Sequence, residues 1–283
     1  MASDVTALII TKNEELNIKD CLLSINSFCS RILVIDSGST DKTIEIAKSF
    51  GADVYFHKFE THAKQRNWGL ENCDIKTKWV LRIDADERLT PELIEELNSL
   101  MTLHDSDEVN GITMEAWLYF LGKKIKHGCR NKRKLMLFKF GKAYIEDRRM
   151  DEHTILSSGT SVFAKHKFIH YDFKDMTHWI DKMNWYATKE MLDYFDYLDG
   201  KNQDFDKNDI AIKKTRKKKF GFYYKLPIFF RSWLLFVYFY VFKFGFLDGK
   251  EGFVYHWMYH RWYRALVDSK ILEKKKGCKN NKG

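Results

Sequence analysis

Residues 78–87 read Lys78-Trp79-Val80-Leu81-Arg82-Ile83-Asp84-Ala85-Asp86-Glu87. A short apolar run that stops at clustered carboxylates predicts a buried strand ending at Asp84. Three runs of the same kind precede it, at Val5–Thr11, Arg31–Ile35 and Asp53–Phe56. Helical patterns separate them. Ile18, Leu22, Leu23 and Ile25 share one face; Ile44, Ala47 and Lys48 follow over Asp41–Phe50, with Gly51 as a stop; Ala63–Leu70 is the third. Thr90 with Pro91 behind it predicts the N-cap and first position of a helix reaching about Met101. This alternation predicts an α/β fold, a mostly parallel sheet flanked by helices on both faces. Such sheets bind ligands beyond the carboxyl ends of their strands, and three of those ends carry Thr11–Glu15, Asp36 and Asp84–Asp86.

The 283 residues are 45% hydrophobic and 31% charged, which excludes wholesale disorder, and Pro occurs only twice. The net charge of +9 points to an anionic partner: nucleic acid, acidic lipid or a phosphorylated small molecule. Cys21, Cys29, Cys73, Cys129 and Cys278 form no CxxC pair, so neither a zinc ribbon nor a disulfide framework is indicated and a reducing cytosol suits them. The apolar run Val5–Thr11 is too short for the h-region of a signal peptide with a cleavage site behind it, so a cytoplasmic location is expected.

Two carboxylates one residue apart on an extended segment project to the same side, so Asp84 and Asp86 can approach one hard cation, or one can hold the cation and the other a ribose. Asp-rich strand ends are also ordinary solvated turns. Asp36 precedes the polar turn Ser37-Gly38-Ser39-Thr40-Asp41, where a carboxylate can accept from a nucleobase imide or sugar hydroxyls, or simply cap the next helix. The carboxylates of Thr11-Lys12-Asn13-Glu14-Glu15 can clamp a ribose or serve as helix N-terminal charges. Arg66 can neutralise a diphosphate or act as an ion-pair partner.

Taken in order, Thr11-Lys12-Asn13-Glu14, Val34-Ile35-Asp36-Ser37-Gly38-Ser39-Thr40-Asp41, Arg66-Asn67-Trp68-Gly69 and Asp84-Ala85-Asp86-Glu87 resemble the family 2 glycosyltransferases of the GT-A (Rossmann-like) fold. The resemblance implies a UDP-sugar donor, with Asp36 on the uracil, Thr11, Asn13 and Glu14 at the nucleoside, and Arg66 on the base or phosphates. It further implies Asp84 on ribose or metal and Asp86 as ligand to Mn2+ or Mg2+. Phe120-Leu121-Gly122-Lys123, Lys126-His127-Gly128, Lys134–Lys139 and Met150-Asp151-Glu152-His153 are similar to the lipopolysaccharide-core and O-antigen branch, although arginines usually stand where Lys134 and Met136 do. An inverting transfer needs one general base. By position that is Glu152, with Asp151 as runner-up; His153, His170 and Lys139 are lesser candidates for phosphate, acceptor or a further metal contact. The implied acceptor is a lipid-linked or lipopolysaccharide-type glycan, and the donor a UDP-glucose, UDP-galactose or UDP-N-acetylhexosamine.

The expected divisions are residues 1–110 for the nucleotide-sugar half, 111–212 for the acceptor and base half, 213–272 for a basic and aromatic helical segment, and 273–283 for a disordered Lys-rich tail. Residues 213–219 hold six cations, and 20 of the 44 residues in 220–263 are Phe, Tyr or Trp. Leu226–Phe242 is short for a span and carries Arg231, and Tyr255–Arg264 mixes aromatics with cations, so monotopic attachment to the anionic inner leaflet is expected rather than crossing. An aromatic-rich core or dimer interface is the alternative. Two other classes compete: a basic nucleic-acid-binding protein, against which no readable motif appears, and a nucleotidyltransferase using the paired Asp for Mg2+, against which residues 1–30 contain no Gly.

Overall fold

Strand β1 (Ser3–Thr11) buries Val5, Ala7, Leu8 and Ile9 completely, on both of its faces. A strand that alternates nothing with solvent belongs at the centre of a sheet covered by helices on both sides. It pairs in parallel with β2 (Cys29–Asp36) and β4 (Trp79–Arg82), and β2 pairs in parallel with β3 (Asp53–Phe56). The computed structural model describes residues 3–129, 133–147, 152–171, 175–200 and 220–280. They fall into two units, residues 1–119 with 130–172, and residues 120–129 with 173–283.

In the first unit, α1 (Ile18–Ile25), α2 (Thr43–Ser49), α3 (His62–Asn72) and α4 (Pro91–Leu103) flank the sheet. Thr90 caps α4 by accepting from the Leu93 amide, with Pro91 at its first turn, as the sequence predicts. Beyond β4 the sheet becomes mixed. The short β5 (Glu87–Arg88), β6 (Val109–Phe120), β8 (Arg133–Lys139) and β11 (Thr160–His170) extend it in the order β3-β2-β1-β4-β8-β6-β11-β5; the three-residue β7, Lys123–Ile125, belongs to the second unit. β8 lies antiparallel between β4 and β6, β11 runs parallel to β6, and β5 folds back antiparallel onto the end of β11. A small hairpin, β9 (Ala143–Ile145) with β10 (Thr154–Leu156), completes the unit. β6 runs straight through residues 110 and 111, so the nucleotide and base halves expected there share one sheet.

The motif residues of α3 have distinct packing reasons. A Cβ on Gly69 would stand 2.7 Å from Leu8 Cδ1 and 3.0 Å from Ile35 Cγ1, so only glycine lets the helix lie this close to β1 and β2. Asn67 donates to the Ile145 carbonyl at 2.7 Å and accepts from its amide at 2.9 Å, pinning β9 to the helix. Trp68 stacks on His57.

The second unit is helical: α5 (Met176–Leu198), α6 (Phe230–Val237), α7 (Gly249–His256) and α8 (Tyr263–Asn280), with wider π turns at Tyr238–Phe242 and Trp257–Trp262. Two buried carboxylates organise it. Asp268 pairs with Arg231 and accepts from the Phe229 amide, while Glu190 accepts from Tyr224, Tyr263 and Arg264. Tyr255, His256, His260 and Tyr263 are buried, and Tyr255, Tyr259 and Tyr263 stack in succession. In the stretch 255–264, expected to lie at an interface, four residues are thus buried, five are half-buried and Trp257 is exposed. Helix α8 continues to Asn280, where the sequence predicts a disordered tail from residue 273. Buried Val267 and Ile271 dock it, and Lys275 reaches Tyr194 on α5. The Lys run 213–219 lies outside the described residues. Among those described, no single helix is long and apolar enough to cross a membrane; Phe230–Phe242 and residues 245–277 pass such a test only as a pair bent by 71°.

Candidate active site

The parallel register aligns Thr11 with Asp36, so the loops after β1 and β2 leave the sheet side by side. Their side chains then cross-link them. Asn13, at φ 54, accepts from the Thr40 amide at 2.9 Å, while its own amide donates to Ser39 Oγ at 2.8 Å. The Glu14 amide donates to Thr43 Oγ1 at 2.7 Å, and the Glu14 carboxylate accepts from Asn17. Asp36 is almost fully buried. Its Oδ1 accepts from the Gly38 and Ser39 amides at 2.8 and 2.7 Å, and its Oδ2 from the Thr11 and Ser39 hydroxyls. A carboxylate has about four acceptor positions. Four donors therefore engage Asp36, which gives it a structural hold on the 36–39 turn in addition to any ligand contact.

Arg66, on α3, is 4% exposed and reaches the next strand end. Its Nη2 lies 2.5 Å from Asp84 Oδ1 and its Nη1 3.7 Å from Glu152 Oε2, so one guanidinium joins two predicted site carboxylates. Lys134, from β8, takes the other oxygen of Asp84 at 2.9 Å and also pairs with Glu87. Glu87 Oε2 accepts from the Asp84 amide at 3.0 Å. Burial by itself pushes Asp84 upward, but the charges of Lys134, Arg66 and Arg82 outweigh it and hold this carboxyl well below the usual range. Glu87 goes the other way. Burial, reinforced by Asp84 and Asp86 against the attraction of Lys134, lifts it to about 7. Arg82 is buried against Thr154, and burial followed by repulsion from Arg66 lowers it to about 10.

Asp86, Glu87 and His170 can hold a metal ion: one ligand atom from each lies within 4.8 Å of the others. His170 Nε2 is 3.5 Å from Asp86 Oδ2. The topology causes this meeting, because β5 pairs with β11, opposing Glu87 to His170, and the Tyr171 amide donates to the Asp86 carbonyl. Asp84, expected beside Asp86 on the cation, is not in that group. Residues 84–87 are not extended. The Glu87 amide donates to the Asp84 carbonyl at 2.9 Å, closing a tight turn that cancels the alternation of side chains and separates the two aspartates.

Lys139 is also displaced from the expected site. It pairs with Trp79 at the start of β4, donates to the Asp107 carbonyl and lies over the Trp79 ring, at the edge of the sheet opposite the strand ends. The carbonyl of His153 accepts from the Glu146 amide. Asp151 lies outside the described residues. Glu87 and Lys134 are site residues to which sequence pattern alone gives no role. The signal for Glu87 was its place directly after Asp86; for Lys134 it was a cation at a position where arginine is usual.

Fold and site together define an α/β protein whose sheet carries a cation-competent acidic turn at its carboxyl edge. The profile of the family described as glycosyl transferase family 2 matches residues 6–168, more than half of the chain, and the chain belongs to that family. Asp36, Arg66, Asp84–Glu87, Lys134 and Glu152 lie inside the match; His170 lies just beyond it. The lipopolysaccharide core biosynthesis glycosyltransferase LpsC of Rhizobium meliloti (strain 1021) is 30% identical over 191 residues, 65% of this chain and 69% of that protein. An uncharacterized glycosyltransferase of Rickettsia bellii (strain RML369-C) is 36% identical over 107 residues, 38% of this chain and 36% of the relative. The chain spans 36–40% of the length of the Rickettsia relatives it matches. The crystal structure of S. aureus TarS 1–349 aligns over 98% of this chain and 92% of its own, at 15% identity and a TM-score of 0.45.

Proposed function

We propose that the chain is an inverting glycosyltransferase that moves a hexose from a UDP-sugar, of the glucose, galactose or N-acetylhexosamine type, to a lipid-linked or lipopolysaccharide-type glycan. The observation that carries this reading is the convergence, at one sheet edge, of Arg66 joining Asp84 to Glu152 and of Asp86, Glu87 and His170. The likeness to LpsC supports the acceptor class. The loops cross-linked at Thr11–Glu14 and Asp36–Thr43 form the nucleoside platform, with Arg66 on the phosphate side.

Asp86, Glu87 and His170 offer two carboxylates and one imidazole, a donor set that suits Mn2+ and, less well because of the nitrogen, Mg2+. When bound there, such an ion supplies charge neutralisation for the departing diphosphate. Glu152 accepts the proton of the acceptor hydroxyl as its oxygen attacks the anomeric carbon; the bond to the UDP oxygen breaks on the opposite face, and the configuration inverts. Arg66 holds Glu152 and Asp84 in fixed relation during this step. Glu152→Gln tests the role of the base: UDP binding stays within about twofold of wild type while transfer falls by two orders of magnitude or more. Equal loss of both reduces Glu152 to a structural residue.

The second unit supports attachment to an anionic membrane face. Phe230, Leu234, Val237 and Val241 are exposed at helical spacing, with Trp233, Tyr238 and Phe242 beside them. The six cations of 213–219 would add about 1 kcal/mol each near acidic lipid. This reading puts the enzyme on the cytoplasmic side, held peripherally. Flotation with vesicles of acidic and of neutral phospholipid tests it: binding to the acidic vesicles that weakens with salt is expected, and no binding to either contradicts it.

A further inference from the structure

Three acidic residues, Asp84, Asp86 and Glu87, stand within four positions of one turn, and one organic cation is tethered among them. The Lys134 ammonium is 2.9 Å from Asp84 Oδ2 and still closer to Glu87 Oε1, so it sits between these two carboxylates as an inorganic cation would. Glu87 is shared between the two arrangements: it holds Lys134, and it is one of the three residues whose ligand atoms gather with Asp86 and His170. Lys134 lies opposite Met114 of β6, and β8 pairs with β4 further along at residues 137–139, so its stem is anchored by the sheet rather than by the turn.

We propose that Lys134 is a positioning residue that acts as a built-in second cation. It fills the place between Asp84 and Glu87, restricts the acidic turn to one divalent ion, and confines that ion to Asp86, Glu87 and His170. This rests on the metal assignment proposed above. Without the lysine, Glu87 would lose its paired cation and Asp84 would keep Arg66, so the turn would present at least one more uncompensated negative charge to solvent cations. Removing one positive charge from the neighbourhood of a divalent ion raises its affinity by on the order of tenfold, even at a high effective dielectric.

Mn2+ alone is titrated into the full chain and followed by electron paramagnetic resonance of the free ion. Wild type is expected to take up one ion. Lys134→Met is expected to take up a second ion, or to bind the first about tenfold more tightly, and Lys134→Arg to restore the wild-type isotherm. A lysine that merely contributes an ion pair to stability would lower the melting temperature and leave stoichiometry and affinity unchanged, which overturns the inference. If Lys134→Met does not fold, the pair Lys134→Met with Asp84→Asn removes both charges together. It is expected to fold and bind a single ion, and failure to fold or uptake of two ions overturns the proposal. A wild-type chain that takes up no Mn2+, with or without UDP, removes the metal assignment itself, a result distinct from an unchanged Lys134→Met isotherm.

Discussion

Asp84→Ala separates the structural from the ligating carboxylate of the Asp84-Ala85-Asp86 turn. The substitution deletes the partner of Arg66 Nη2 at 2.5 Å and one partner of Lys134 at 2.9 Å. The Arg66 side chain is only 5% exposed, so its guanidinium recovers little hydration. Stranding a buried charge costs about 3–5 kcal/mol. Both cations keep a second carboxylate, Glu152 at 3.7 Å for Arg66 and Glu87 for Lys134, so the lower end, about 3 kcal/mol, is expected. For a chain of this size that is a fall of roughly 6–12 °C in melting temperature. The assay is thermal unfolding of the metal-free protein by circular dichroism, paired with Mn2+ binding. Asp86→Ala is the control. Asp86 lies 3.5 Å from His170 and its side chain is more exposed than that of Arg66, so its loss is expected to cost less than that of Asp84 while abolishing Mn2+ binding. The reasoning is refuted if Asp84→Ala melts within about 2 °C of wild type, or if Asp86→Ala is the more damaging of the two.

Gly69→Ala forces a Cβ to within 2.7 Å of Leu8 Cδ1 and lifts α3 from the sheet, so urea unfolding should show a loss of about 1–3 kcal/mol together with weaker UDP binding through displaced Arg66. Glu87, lifted to about 7, holds its proton more tightly folded than unfolded; its contribution therefore declines as pH rises from about 4.5 through 7, by up to roughly 3 kcal/mol in the metal-free protein. Glu87→Gln should flatten that part of the stability–pH curve, and parallel curves for the two proteins would contradict the burial argument. Arg231→Met strands buried Asp268 and should cost about 3–5 kcal/mol, whereas Arg231→Met with Asp268→Leu should recover most of it in the same unfolding measurement.

The parallel half of the sheet was readable because its strands are short apolar runs that end on turn chemistry, and the cap at Thr90-Pro91 and the Arg66-Asn67-Trp68-Gly69 helix followed from local pattern. The mixed half was not. Nothing local announces that β8 inserts antiparallel between β4 and β6, or that β5 folds back onto β11, and both facts decide the site. The first delivers Lys134 to Asp84; the second delivers His170 to Asp86. The turn closed between Asp84 and Glu87 likewise defeats a rule written for extended strands. Lys139 misled because its own stretch carries family likeness, while strand direction sends it to the far edge. In the second unit, aromatic content alone could not separate the inward face of Tyr255, Tyr259 and Tyr263 from the outward face of Phe230, Leu234 and Val237. Burial requires knowing which helix packs where.

Calorimetric titration of UDP into the full chain, once with Mn2+ and once with a chelator, is the most direct trial of the whole account. Binding that requires the ion in wild type and is lost in both Asp86→Ala and His170→Ala is the predicted outcome. Binding of equal strength in the presence and absence of the ion would contradict it.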